Sequence, residues 1–484
     1  MDALRSVHAA NIITTVAGGG ASSLGDDGPA TNARFVSPQG VVAVPGPDAS
    51  GVVLYILDTG HNRVRRVDTA GMIDTVAGDG TYGFSGDGSA ATSAKFRGPY
   101  GLAVRVLAPS GGVEFYVADR DNHRIRRVDE SGIMSTVAGN GTLGFHGDGG
   151  PATAANLCSP LGVAVWTNTS SGGVVLYIAD TSNHRIRRVD AGGIIITVAG
   201  NGTIGFSGAA EAATAAMLNM PLGITAVGVS GGGVAVFFAD KGNNCIRRVD
   251  EGDIISTVAG NRSLGYGGDG GAATAAALNS PAGVAVVGEV GSGSAVLYIA
   301  DTSNYRIRRV DEAGGITTVA GTGVNGFSGD GGAATSAKLW TPNGVSVVAN
   351  ASSGGTSFYI ADLVNHRIRR VIEEPSLTPS PSASTSPSCS VSSTKSHSAS
   401  PSHTATASGT PPRSPSATCS GSSTLSVSAS VSVSVSACAT PSQSPSSSSS
   451  GSASASGTPT QTPSSSSSGS ASACATPSQT PSSS

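Results

Sequence analysis

The sequence predicts an all-β fold, a six-bladed β-propeller closed by an N-terminal strand and followed by a disordered Ser/Thr/Pro-rich tail. Three observations carry this: a unit of about 61 residues present six times, short β-branched runs inside every unit, and one strand-like phrase displaced to the front of the chain. The period is read from LYIAD and its variants, whose aspartates fall at Asp58, Asp119, Asp180, Asp240, Asp301 and Asp362, spaced by 61, 61, 60, 61 and 61 residues.

Every unit has the same order: Pro-x-Gly-Val-Ala-Val, LYIAD, a short polar turn, RIRRVD, a Gly-containing turn and ITTVAG. Each apolar phrase is a run of four to six residues bounded by Gly, Asp, Asn or Pro, which is the pattern of a short strand. Four antiparallel strands per unit follow, named a to d from the axis outward. Such a unit cannot bury both faces alone, and stacking copies radially gives a propeller.

Closure distinguishes a ring from a solenoid. TVAG occurs six times, with its valine at Val16, Val76, Val137, Val198, Val258 and Val319, and the first copy precedes the first complete unit. The last unit, ending at Val371, lacks its fourth strand. Ile12 to Val16 is therefore expected to supply that strand, fastening the ends and hiding a sheet edge. The long d-to-a loops, such as GNGTLGFHGDGGPATAANLCSP, and the b-to-c turns, such as DRDNHR, are expected on one face, where loops usually carry binding.

Composition divides the chain into a propeller over 11–372 and a low-complexity tail over 375–484. The tail holds Ser, Pro, Thr and Ala, only Lys395 and Arg413 as charges, and an 18-residue repeat marked by Pro445, Pro463 and Pro481. It cannot assemble an apolar core. The folded part keeps 26 basic against 31 acidic residues, a balance that does not favour nucleic acid or an anionic membrane. Of six cysteines four lie in the tail (Cys389, Cys419, Cys438 and Cys474) and no CxxC pair occurs, so neither a zinc motif nor a disulfide framework is legible. The opening residues lack the apolar core of a signal peptide, and no apolar run is long enough to span a membrane.

The b-to-c turn reads Asn-His-Arg at Asn122–Arg124, Asn183–Arg185 and Asn365–Arg367. With the strands on either side, the unit resembles the NHL repeat over nearly all of residues 11 to 372. The resemblance implies a six-bladed propeller and a scaffold more than an activity. The long FSGDGGPATAA insertion resembles copies found in often secreted or surface NHL-repeat proteins.

The recurrent polar residues have competing readings. Seventeen of the 28 basic residues sit in the RIRRVD strands. They suggest either an RNA-gripping surface, as the resemblance to some NHL propellers allows, or internal pairs such as Arg124 with Asp119; one Arg per Asp favours the pairs. His123, His184 and His366 sit on separate turns where the other copies have Asn62, Asn244 and Tyr305, so turn chemistry is preferred over a metal. The GxGxxG match at Gly78, Gly80 and Gly83, with its equivalents, lacks the βαβ context of a dinucleotide site. Asp26, Asp87, Asp148, Asp269 and Asp330 in the Gly-Asp-Gly loops offer one carboxylate per blade, too few for calcium, and an Asx-type turn is expected. Phe84, Phe145, Phe206, Tyr266 and Phe327 are expected to tuck beneath those loops.

Blade four departs from the pattern, with Cys245 for the turn Arg, Asn244 for His and Ala209 for the loop Asp. In a purely architectural ring these changes are drift; in a binding ring that sector is either the site or the side facing away, and Glu211 and Cys245 are expected on one face.

The expected function is a non-enzymatic scaffold whose loop face contacts a protein or glycan, without a cofactor, as a monomer. Candidate contact residues are Asp87, Asp148, Asp269 and Asp330 with Asn122, His123, Asn183, His184, Asn304, Tyr305, Asn365 and His366. The alternatives are a hydrolase or lyase with a metal in the central channel, and RNA binding through the Arg-rich strands. Asn-x-Ser/Thr sites at Asn140, Asn168, Asn201, Asn261 and Asn350, with the stalk-like tail, point to the exterior or cell surface; otherwise the chain is cytoplasmic.

Overall fold

The computed structural model describes residues 11–21, 24–46, 51–107, 110–167, 172–292, 295–349 and 355–373, and the backbone of 433–436. The short β-branched runs form six antiparallel sheets in the order a-b-c-d. In the second blade these are Pro99–Val106, Val113–Asp119, Arg124–Val128 and Met134–Ala138. Each innermost strand packs beside those of both neighbouring blades, and the sixth, Pro342–Ala349, packs beside the first, Pro38–Pro45, so the ring is closed.

The closure runs through the N-terminus. Ile12–Gly18 pairs antiparallel with Arg367–Glu373, placing Ile12 opposite Ile372 and Ile13 opposite Val371. A register shift between Thr15 and Ala17 reproduces the one between Thr136 and Ala138 in the second blade, so the displaced strand has the irregularity of a native outer strand.

The Gly-Asp-Gly insertions cover the outer edges. Gly28–Pro29, Gly150–Pro151 and Glu211–Ala212 add two-residue strands outside the fourth strand of the blade that follows, and single bridges at Ala90, Ala272 and Ala333 do the same in the others. A one-turn 3-10 segment then buries its first alanine (Ala91, Ala152) before the chain dives to the axis. Main-chain bonds from Asp121 N to Arg97 O and from Ser182 N to Cys158 O tie the b-to-c turns to the ends of these loops, which puts both on one face. Glu211 does not share that face with Cys245. It pairs with Ile255 near the far end of the outer strand, whereas Cys245 begins strand c at the loop-face end, because the insertion descends the rim before returning.

Apolar residues of strands a and b fill the space between blades. Tyr55 meets Phe115 with ring centroids 5.7 Å apart across the first two blades, and Tyr298 meets Phe358 at 5.1 Å across the fifth and sixth.

Candidate functional site

The second arginine of RIRR is the hub of each blade. Arg65, Arg126, Arg187, Arg247, Arg308 and Arg369 are fully buried. Each faces the aspartate ending strand b at 3.2–3.8 Å, as Arg126 does Asp119 at 3.3 Å. In five blades it also holds the Gly-Asp-Gly aspartate at 2.5–2.7 Å, as Arg126 does Asp87 and Arg187 does Asp148. The expected partner of Asp119 was Arg124, and the structure substitutes Arg126: Arg124 instead donates to the carbonyls of Asn122 and Asn140. Nor do the loop aspartates close Asx turns. Asp87 accepts from Arg126 and Thr136, and Asp330 from Arg369 and Thr15, which ties the insertion to the sheet. Asp269 takes Arg308, Thr318 and Tyr266; although partial burial pushes its carboxyl up, those contacts hold it below the ordinary range.

The turn residues join one blade to the next. His123, His184 and His366 occupy the left-handed region at φ 52–55°, as do Asn62 and Asn244 at 51–53° and Tyr305 at 55°. Nδ1 of His123 accepts from Ser159 N at 3.1 Å, that of His184 from Met220 N and that of His366 from Ser37 N. Asn244 Oδ1 performs the same task for Ser280 N at 2.9 Å. His and Asn interchange because each places one acceptor at the same point. Asn122, Asn183, Asn304 and Asn365 donate Nδ2 to the strand-b aspartate and to a loop glycine carbonyl, as in Asn122 to Asp119 and Gly83.

Burial pushes the three imidazoles below their ordinary value, so they act as neutral acceptors. The unfolded chain, titrating near 6.5, takes up protons that the fold resists. Stability from these groups is therefore present above about 6.5 and is lost as pH falls through the lower folded value. Burial also pushes Asp119, Asp180, Asp240 and Asp362 up to about 6, which gives a slope of opposite sign in the same interval. The comparison that isolates the histidines is His123→Asn, His184→Asn, His366→Asn against the parent. The triple variant is expected to lose less stability between pH 7.5 and 5 in urea titrations, and parallel profiles would contradict the acceptor role.

The ring of each Gly-Phe loop rests on guanidinium groups rather than beneath the loop. Arg124 Cζ lies 3.9 Å and Arg126 Cζ 4.8 Å from the Phe84 centroid, and Phe145, Tyr266 and Phe327 repeat the arrangement. These four rings stay 42–45% exposed.

Blade four is a compensated variant. At Gly80, Gly141, Gly202 and Gly323 a Cβ would run into the turn arginine. In the fourth blade that arginine is Cys245, the following loop carries Arg262 where the others have this glycine, and Arg262 covers Phe206 at 4.5 Å. The guanidinium has changed its point of attachment. Arg247, lacking the loop aspartate, donates instead to the carbonyls of Ser207 and Gly208. Burial pushes the Cys245 thiol up to about 12, which makes it a packing group rather than a nucleophile. Cys245→Arg alone is expected to cost about 1–3 kcal/mol through the collision with Arg262. Adding Arg262→Gly should recover most of it, and additive losses in the double-mutant cycle would refute the exchange.

The large hydrophobics that stay exposed gather on the loop face. Eleven of the fourteen exposed large hydrophobics among the described residues lie there. Tyr82, Leu143, Ile204 and Leu264 stand between Thr or Ser and Gly at the loop tips, with Leu264 71% exposed. Trp340 and Val364 form an exposed pair in blade six, joined by the bond from Val364 N to Trp340 O. Sequence reasoning passed over these positions, although the apolar residue in each Gly-Thr-x-Gly-Phe phrase was a visible signal. At the sequons, Nδ2 of Asn140, Asn201 and Asn261 donates to the carbonyls of Ala154, Ala215 and Ala275; Asn168 and Asn350 lie outside the described residues. Among the described residues no group of three or more His, Cys, Asp or Glu is placed to hold a metal.

A closed ring whose recurrent charges are spent on holding blades and loops together is a repeat-built propeller scaffold. No family model matches the chain. Human NHL repeat-containing protein 2 is 30% identical over 340 residues, covering 65% of this chain and 44% of that protein. Mouse teneurin-4 is 29% identical over 381 residues, covering 71% of this chain and 12% of that one. Among solved structures, an auxiliary nutrient binding protein of Bacteroides thetaiotaomicron aligns with a TM-score of 0.51 at 16% identity, over 75% of this chain and 77% of that one, a likeness of fold alone. With the sixfold turn-and-strand pattern above, these findings make the chain a six-bladed β-propeller similar to NHL-repeat proteins. It spans less than half the length of the NHL repeat-containing protein 2 relatives it matches.

Proposed function

We propose that the protein is a non-enzymatic scaffold that binds a protein partner through the apolar crown of its loop face. The observation that carries this is the concentration of exposed Tyr82, Leu143, Ile204, Leu264, Trp340 and Val364 on one face. Exposed apolar side chains gathered on one face suit an interaction surface, and interface cores favour aromatic and aliphatic anchors over charge. A glycan needs open aromatic faces ringed by polar forks, whereas one side of each Gly-Phe ring here is occupied by arginine. The Asp and Asn/His positions first considered as contacts serve this reading as the frame that holds the crown in place. RNA binding is disfavoured because two arginines in each RIRR strand are engaged internally. The stalk-like tail and the sequons support an extracellular or cell-surface setting, and no helix among the described residues is long and apolar enough to cross a membrane.

A photo-crosslinking residue at position 143 or 264, compared with one at position 106 away from the crown, tests the reading in an extract of the source organism. A discrete protein adduct is expected only from the crown positions, and Leu143→Glu with Leu264→Glu should weaken capture at position 204 at least tenfold. Glycosidase-sensitive adducts, or equal labelling from position 106, would overturn it.

A further inference from the structure

On the face away from the crown, blades three and four enclose a solvent-open cavity of about 320 Å³. That is the small end of the range of small-molecule pockets, about 300–1,000 Å³. Strand register builds it. Trp166 stands opposite Val175 in strands a and b of blade three, and Tyr177 opposite Arg188 in strands b and c. Side chains alternate along a strand, so Val175 and Tyr177 share one face of the sheet, and Trp166 and Arg188 join them there. Val234, the first residue of strand b in blade four, lines the other side, and Asp190 follows in the turn after strand c.

The lining is peculiar to this blade. The position of Trp166 is taken by Val44, Arg105, Val227, Val287 and Val348 in the others, so one blade alone presents an aromatic ring there. The indole packs against the core cluster shared by blades three and four and stays half-buried. Phe145 has a face covered by Arg185 at 3.7 Å, whereas no guanidinium covers Trp166 among the described residues. In blade two the equivalent positions carry Arg105 and Glu114, and Glu114 takes Arg127 at 2.6 Å; in blade four Arg248 reaches Glu251 at 3.7 Å. Their counterpart Arg188 makes no ion pair or hydrogen bond among the described residues. Asp190 Oδ1 accepts from Gly192 N and Ile194 N, both at 2.9 Å, and Oδ2 takes no partner among the described residues. Burial pushes the Tyr177 hydroxyl up to about 12, which keeps it a neutral donor and acceptor.

We propose that this cavity binds an uncharged pyranose sugar, free or as the end of a glycan chain, stacked on Trp166 and held by Arg188, Asp190 and Tyr177. A pyranose has a face of C–H groups, which meets the negative face of an indole, and a rim of hydroxyls that both donate and accept. Arg188 supplies only donors and the Asp190 carboxylate only acceptors, so the two together suit neighbouring hydroxyls. Their charges also select. A cation drawn to the ring meets Arg188, and an anion drawn to Arg188 meets Asp190, whereas an uncharged polyol meets neither repulsion.

Trp340→Phe on the loop face leaves Trp166 as the sole tryptophan of the full chain, and so as the reporter of its own site. Titration with the methyl glycosides of glucose, galactose and mannose is expected to change its emission saturably with at least one of them. The dissociation constant should be on the order of 1 mM for so small a ligand. Arg188→Ala removes a guanidinium that supports no neighbour and should weaken binding at least tenfold at an unchanged melting temperature. Trp166→Ala should abolish the saturation-transfer NMR signal of the same sugar. The amino-sugar and uronic-acid forms should bind more weakly than the neutral parent. Labelled protein applied to immobilised neutral glycans separates a chain end from a free sugar. Silence in both formats, binding unaffected by Arg188→Ala or Trp166→Ala, or preference for either charged form would overturn the assignment. The readout lies on the face opposite the crown, so failure here leaves the partner-binding reading to its own test.

Discussion

Removal of residues 1–18 is expected to abolish cooperative folding of the propeller or to lower its stability by most of its total. The deletion exposes the edge of Arg367–Glu373 and withdraws the fully buried Ile13 and Ala17. Burial of one Ile side chain contributes about 1.5–3 kcal/mol. The lost strand pairing adds about 1 kcal/mol for each hydrogen bond. Together these approach the roughly 5–15 kcal/mol by which a domain is stable. Urea unfolding followed by circular dichroism measures it, and a peptide spanning residues 11–20 should restore a transition when supplied in trans. A deletion that unfolds at the parent's midpoint would mean that the ring closes without this strand.

The second large effect belongs to the buried arginines. Arg187→Met is expected to destabilise the protein by about 3–5 kcal/mol, because it strands Asp180 as an uncompensated buried carboxylate. Asp180 and Arg187 are both fully buried at 3.3 Å, and Asp148 would lose its 2.6 Å partner as well. Arg185→Met removes only an exposed-side stack and two carbonyl contacts and should cost about 1 kcal/mol. Equal losses for the two arginines would show that the hub is not Arg187. The same comparison in blade four is informative, since Arg247 has no loop aspartate and rests on carbonyls in its place.

The contrast between those two arginines shows how far the sequence could be read. Arg124 sits directly opposite Asp119 in the hairpin register, and a reading by adjacency pairs them. The ion pair falls to Arg126 because its side chain enters the buried space between strand and insertion, where Asp87 arrives from 39 residues away. Likewise Ala209, Cys245 and Arg262 are three unrelated changes along the chain, and only the stacking on Phe206 makes two of them one exchange. The sector first singled out by its irregularity is thereby accounted for structurally, and the exposed departures fall at the loop tips and at Trp340 and Val364.

The sequence by itself determined the number of blades, the order of strands and the ring closure at Ile12–Gly18. These follow from a period near 61 and from β-branched runs, which are local properties repeated six times. Only the tertiary structure decided which repeated charges are buried, which carboxylate meets which guanidinium, and which apolar residues stay in water. The physical reason is that a side chain's burial depends on what packs over it, and in this ring the covering group comes from an insertion, a neighbouring blade or the opposite end of the chain.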